Sequence, residues 1–354
     1  MSIRSKSVLV SSTAILLATS LFACGKDRGS SGSSASTSAS AQVDPGKPKV
    51  AFLLSTLQEE RYQKDKKYFE EKAATLGVTA FTLSADNDNA RQLSQVEDAL
   101  SRGAKVLVIQ PTDSAAASAY VGKAHAKGAK VVAYDRSIRG DALDYYVAHD
   151  SYAVGKMEAE AAVAATGGKG NYVLLQGQSG HSVAVEIARG YTDVLRPYVD
   201  KGDIKIVVEK NHDAWAPEQA LKTVEDALSK SKGDIQAILA NNSGMARGAV
   251  QAVQASATAK KDVFIAGADA DAANANFVCE GKQSVEILKD IKPLAEKAAE
   301  IASDLALGKA APPSAVPSSK VPTAAVPVVL VTKANAKSVL VDGGFHDAKQ
   351  LPPA

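Results

Sequence analysis

The chain has 354 residues, 45% of them hydrophobic and 23% charged, with 41 basic against 39 acidic side chains for a formal net charge of +2. That is enough apolar material for two domains of ordinary size with real cores. The near-balance of charge excludes a nucleic-acid footprint, and the lysine clusters at 64–67, 201–210 and 230–232 read as solvated helix ends.

The first 24 residues have the layout of an export signal. Arg4 and Lys6 precede an apolar run from Val8 to Ala23, interrupted only by Ser and Thr, and Cys24 follows. The run is short for a membrane span, which needs about 20 residues. "LFAC" at 21–24 resembles the bacterial lipobox, with Phe22 bulkier than the small residue usual there. Cys24 is therefore expected to be acylated and to become the mature N-terminus. Residues 25–47 are rich in Gly, Ser and Ala without hydrophobic periodicity, which suits a flexible tether. The chain has two cysteines. With Cys24 acylated, Cys279 is left without an intramolecular partner, so the body must hold together by its core.

From residue 48 strands and helices alternate. "KVAFLLS" reads as a strand and "RYQKDKKYFEEKAATLG" as an amphipathic helix closed by Gly77. "VTAFTLS", a helix ending at Gly103, "KVLVIQP", "SAAASAYVGKAHAKG" and "KVVAYD" repeat the unit. A second series runs "NYVLLQG", "SVAVEIARGYTDVLRPYV", "IKIVVEK", "PEQALKTVEDALSKSKG", "IQAILAN", "GMARGAVQAVQA" and "VFIAGAD". Helices closing on Gly before continuous apolar strands indicate βαβ units and parallel sheets buried on both faces. The expected fold class is α/β, two doubly wound parallel-sheet lobes joined by a multi-crossing hinge. The first lobe is expected at 48–148 plus about 285–308, and the second at 149–284 plus about 320–347. Crossings are expected near 146–151, 268–289 and 308–322.

In such sheets ligands sit beyond the carboxyl ends of the strands. There the chain places Ser55 and Thr56, Gln110, Asp135-Arg136, His149-Asp150, Gln178, Asn241-Asn242, and Asp269 with Asp271. Turns alone favour some of these residues. Asp135-Arg136 directly after Tyr134 is harder to ascribe to turn chemistry. A carboxylate that accepts from two neighbouring hydroxyls, beside a guanidinium fork, suits a sugar. Trp215, the single tryptophan, falls in a loop before a helix start at Pro217, where it is expected to be exposed for contact with a sugar face.

"ERYQKD" at 60–65, "AYDR" at 133–136, "HDAWAPEQAL" at 212–221, "AGADAD" at 266–271 and "DGGFH" at 342–346 resemble the D-xylose-binding proteins. Those are substrate-binding components of bacterial ABC sugar importers with the type I periplasmic-binding fold, and the likeness spans roughly 48–347. It implies sugar contacts from Arg61, Asp135, Arg136, Trp215, Asn242, Asp269 and Lys289. It also implies a monomer without cofactor, partnered by permease and ATPase subunits, while the lipobox is expected to hold the chain to the outer side of the membrane through Cys24. Tyr62 stands where the family usually has Trp. His181-Ser182-Val183 replace a usual Asp-Asn-Asn run, and Ser243 replaces an Asp. D-xylose is the favoured sugar, with glucose, ribose or arabinose as alternatives. If His181 and Val183 line the cleft, one or two hydroxyls are read differently there, with His181 as a ligand contact.

Catalysis finds no support. The five histidines lack metal-ligand spacing, no GxSxG or P-loop occurs, and "GGKG" at 167–170 merely precedes a strand. Asp269 and Asp271, two apart, read as a sugar-facing and a structural carboxylate rather than a metal pair. A lac-repressor-type regulator shares the bilobal fold but needs a helix-turn-helix where this chain has a signal and linker. A sensor presenting sugar to a chemoreceptor or kinase would use the same cleft.

Overall fold

The structure, a computed structural model, describes residues 46–140, 142–315 and 320–351. Cys24 and nearly all of the tether lie outside them. The described residues belong to one compact unit.

The first lobe is built on β1 (Lys49–Leu54), α1 (Glu60–Ala74), β2 (Thr79–Ser84), α2 (Asn89–Ser101), β3 (Ala104–Ile109), α3 (Ser118–Ala126), β4 (Lys130–Tyr134) and β5 (Tyr145–His149). The second carries α4 (Ser151–Thr166), β6 (Gly170–Gln176), α5 (Ser182–Asp200), β7 (Ile204–Asn211), α6 (Pro217–Ser231), β8 (Ala237–Ala240), α7 (Ser243–Ala255), β9 (Phe264–Ala268), α8 (Ala272–Glu280) and β10 (Val285–Leu288). The chain then returns through α9 (Ile291–Ala306) and β11 (Thr323–Val326) and ends on β12 (Val329–Thr332). Sheet orders are β11-β5-β4-β3-β1-β2 and β12-β10-β9-β8-β6-β7. All pairs are parallel except β10 with β12.

The local reasons are the expected ones. β1 and β3 are continuous apolar runs covered on both faces, with Phe52 and Val108 on one side and Leu53 and Leu107 on the other. Gly77 and Gly103 take left-handed φ of 76° and 82° where helices give way to strands. Pro217 starts α6, where its missing N–H costs nothing.

The lobe boundaries depart from expectation in two places. β10 belongs to the second sheet, so 285–288 is not part of the first lobe; only α9, after the crossing at 289–290, packs on the first sheet. β11 belongs to the first sheet, and the third crossing falls at 327–328 instead of 308–322. β11 lies between Pro322 and Pro327 and is an edge strand pairing only with β5. Prolines are tolerated at such an edge, and the short Ala-rich run carries almost no strand signal. The first crossing runs through 149–151, between β5 and α4.

In the second lobe α4 and α5 meet backbone to backbone. A Cβ on Gly190 would lie 2.5 Å from the carbonyl oxygen of Tyr152, and one on Gly155 2.0 Å from that of Ile187. Gly190→Ala is therefore expected to lower stability by roughly 1–3 kcal/mol through forced separation of the helices. A thermal melt superimposable on wild type would refute that close approach.

Candidate functional site

The two sheets bring most of the expected residues to one place. Arg61 sits in the first turn of α1, Asp135 follows β4, Asp269 follows β9 and Lys289 follows β10. Among the described residues eight non-glycine residues have positive φ, and six of them gather here: Asn87 (62°), Asp135 (58°), Ala214 (53°), Trp215 (58°), Asp269 (99°) and Ala270 (55°). Backbone of this kind persists where its surroundings over-determine it, and it clusters at binding sites.

Arg61 joins the lobes. Its Nη1 donates to Asp269 Oδ1 at 3.1 Å and its Nη2 to Asp135 Oδ1 at 3.2 Å, while Nε lies 3.6 Å from Asp65 Oδ2. Lys289 Nζ lies 3.2 Å from Asp269 and 3.8 Å from Asp135. Gln110 Nε2 donates to the second Asp135 oxygen at 3.3 Å, and Gln110 Oε1 accepts from Ser55. Arg136 is 1% exposed. It donates to Ser55 Oγ at 2.9 Å, Pro111 O at 3.4 Å and Tyr62 Oη at 3.1 Å. Two buried cations (Arg61, Lys289) thus pair with three buried carboxylates (Asp65, Asp135, Asp269), and buried Arg136 beside them lies 4.0 Å from Glu59. Burial would raise the Asp135 carboxyl, but Arg61, then Lys289 and Arg136, outweigh it and hold the group far below the usual range. Asp65, hydrogen-bonded by Tyr134, is pushed up to about 6 by burial against the pull of Arg61.

A cavity of about 410 Å³ opens on this network, within the range of small-ligand sites. Arg61, Trp215, Asn242 and Asp269 line it, together with Glu59, Arg247 and Asp271. Asp135, Arg136 and Lys289 lie outside that lining; Asp135 and Lys289 are joined to it through Arg61 and Asp269, and Arg136 through Glu59, 4.0 Å away. Asn242 uses Oδ1 to cap α7, accepting from Met245 N at 2.9 Å. Burial, then Asp269, pushes Asp271 up to about 6. A larger groove of about 810 Å³ runs past Tyr146, His149 and Val183 and contains none of the eight expected contact residues. The smaller cavity, where the charges converge, is the candidate site.

Two expectations need correction. Trp215 is not an exposed loop residue. It is 6% exposed, with its indole packed over Gly177, where an added Cβ would lie 2.3 Å from the ring. It lines the cavity from a buried seat because the turn at 213–215 folds back onto β6: Ala214 N donates to Gln178 and Asn211 Nδ2 to Gly177 O. His181 reaches the same region, but its ring is spent inside the protein. Nδ1 accepts from Trp215 Nε1 at 2.8 Å and Nε2 meets Thr112 O at 2.7 Å. Val183 belongs to the core of the second lobe and lines only the larger groove.

Glu59, Asp65 and Arg247 were not singled out from the sequence. Asp65 carried a readable signal, four residues after Arg61 on one helix face. Glu59 and Arg247 carried none, since their place depends on which helix starts face the cavity.

Residues 50–310 match the family described as periplasmic binding protein domain. The chain is 37% identical over 306 residues to a D-xylose-binding periplasmic protein of Escherichia coli, covering 86% of this chain and 92% of that one. It is 29% identical to a multiple sugar-binding periplasmic receptor of Rhizobium radiobacter, with 98% and 99% covered. Among solved structures, an ABC transporter solute-binding protein from Clostridium phytofermentans with bound β-D-glucose aligns with a TM-score of 0.81 at 28% identity. That alignment covers 86% of this chain and all of the other.

Proposed function

The chain belongs to the periplasmic binding protein family, and from that premise we propose that it captures one monosaccharide between its lobes and delivers it to an ABC importer, with D-xylose the first candidate. The observation that carries this reading is the Arg61 bridge: one guanidinium spans a carboxylate of each lobe at the edge of a cavity of sugar size. Such a group donates to ring and hydroxyl oxygens, while Asp269, Asp271 and Glu59 supply acceptors, the amide N–H of Asn242 a further donor and Trp215 an aromatic wall. Arg61, Asp135, Arg136, Trp215, Asn242, Asp269 and Lys289 are the residues assigned to the site.

Xylose is favoured by the Escherichia coli relative named for it. Glucose is the main rival, because the Clostridium structure holds it. The two differ by a hydroxymethyl group at C5, so the decision rests on the space and partners available there. A thermal-shift panel of pentoses and hexoses tests the assignment. At about 100 times its Kd a single ligand adds roughly 2.7 kcal/mol. D-xylose is expected to raise Tm most; a clear preference for another aldose would remove the xylose assignment and leave the binding role standing. Retention at the membrane belongs to the same proposal. Cys24→Ser is expected to move the protein from the membrane to the soluble fraction, and a variant that stays membrane-bound would refute the lipid anchor.

A further inference from the structure

His181 is the residue of the site whose chemistry is most fully determined. It ends the loop after β6, and its backbone N–H donates to Gln178 O at 3.3 Å. The indole N–H of Trp215 can only donate, so Nδ1 of His181 must be the acceptor and Nε2 must carry the proton. That proton is aimed at Thr112 O, which lies beyond β3 in the other lobe. Thr112 is itself anchored, its N–H donating to Gln92 Oε1 at 2.9 Å. The imidazole is 1% exposed and nearly parallel to the indole, with ring centres 6.0 Å apart and 24° between planes. Burial, then Arg136, holds the ring at a pKa of about 3, which keeps this neutral tautomer. Neither nitrogen is left for a ligand.

We infer that His181 is a positioning residue that ties the aromatic wall to lobe closure: Nδ1 fixes the Trp215 indole at the cavity while Nε2 holds the first lobe through Thr112. The inference rests on the sugar-binding reading for its effect on affinity, but the latch itself is a property of the sugar-free protein. Closing the lobes completes the bond to Thr112 and thereby locks the imidazole that orients the indole. Opening them frees the imidazole and loosens the indole. Selectivity among sugars would then arise from how firmly Trp215 is held, and not from a hydroxyl contact at position 181.

The test uses the sole tryptophan as its own reporter. Three variants are compared with wild type. His181→Phe fills the space without hydrogen bonds, His181→Gln can accept at one atom and donate at the other, and His181→Asn is too short to bridge both partners. Emission of Trp215 and the scattering radius are measured without sugar, and affinity by calorimetry with D-xylose and D-glucose. The Phe and Asn variants are expected to change the emission, to expand the sugar-free protein, and to lose about 10- to 100-fold in affinity, the size of broken buried hydrogen bonds. Gln should restore most of all three. Wild-type emission and radius in the Phe and Asn variants would overturn the latch. So would an unaltered emission combined with loss of affinity for one of the two sugars alone, the signature of a direct sugar contact. If wild type binds neither sugar, the binding reading fails, and emission and radius alone decide the latch.

Discussion

Asp135→Ala is expected to cost roughly 3–5 kcal/mol of folding stability and to abolish measurable sugar binding, the scale on which breaking one side of a buried ion pair acts. Asp135 is the anion shared by Arg61 at 3.2 Å and Lys289 at 3.8 Å, with Gln110 on its other oxygen. Without it two buried cations are left to compete for Asp269 and Asp65. Alanine also pays for the left-handed backbone, φ 58°, which aspartate tolerates better. Asp135→Asn keeps that tolerance and the shape, so the gap between wild type and Asn isolates the charge. The charge contribution has a definite sign with pH. The folded carboxyl lies below its ordinary value of 3.8, so its stabilisation is complete above that pH and is lost as pH falls toward the folded value. Urea unfolding from pH 7 down to 3 should give a constant gap above about pH 5 that narrows below it. A stability loss within 1 kcal/mol for Asp135→Ala would remove Asp135 from the centre of the network.

Arg61→Ala is the second large effect. It deletes the bond at 3.1 Å to Asp269 in the opposite lobe and leaves Asp65 and Asp135 short of a cation. The sugar-free protein should open, seen as a larger scattering radius, and affinity should fall by about 2–5 kcal/mol, the cost of stripping one partner from a buried charged pair. Arg61→Lys should rescue little, because a single ammonium cannot reach three carboxylates that a planar fork spans. A lysine variant with wild-type radius and affinity would show that charge alone suffices and that the fork geometry is irrelevant.

Much of this was legible in the sequence because it depends on local pattern. Continuous apolar strands, glycines closing helices and polar strand ends indicate both sheets, and the strand ends put Asn242 and Asp269 in the cavity lining and Asp135 on the Arg61 network behind it. Edge strands were the weak point. β11 is four residues of Thr, Ala and Val between prolines, and nothing in that run says which lobe it joins. Lys289 was visible only through family resemblance, since a lysine after a four-residue strand has no distinctive pattern of its own. The sequence points to His181 as a ligand contact only through its place in the family's usual Asp-Asn-Asn run, whereas its actual partners are long-range. Thr112 lies 69 positions away and Trp215 34, and no periodicity encodes such distances. Trp215 was misread for a related reason: its burial comes from Gly177, a residue on another strand end that leaves room for an indole.

Calorimetric titration of D-xylose into the purified protein, repeated with D-glucose, tests the central claim that the Arg61-bridged cleft is a monosaccharide site. The account expects one saturable site per chain with D-xylose bound more tightly, and no detectable heat for either sugar in Asp135→Ala. Absence of saturable heat with both sugars in wild type, or undiminished binding in Asp135→Ala, would contradict it.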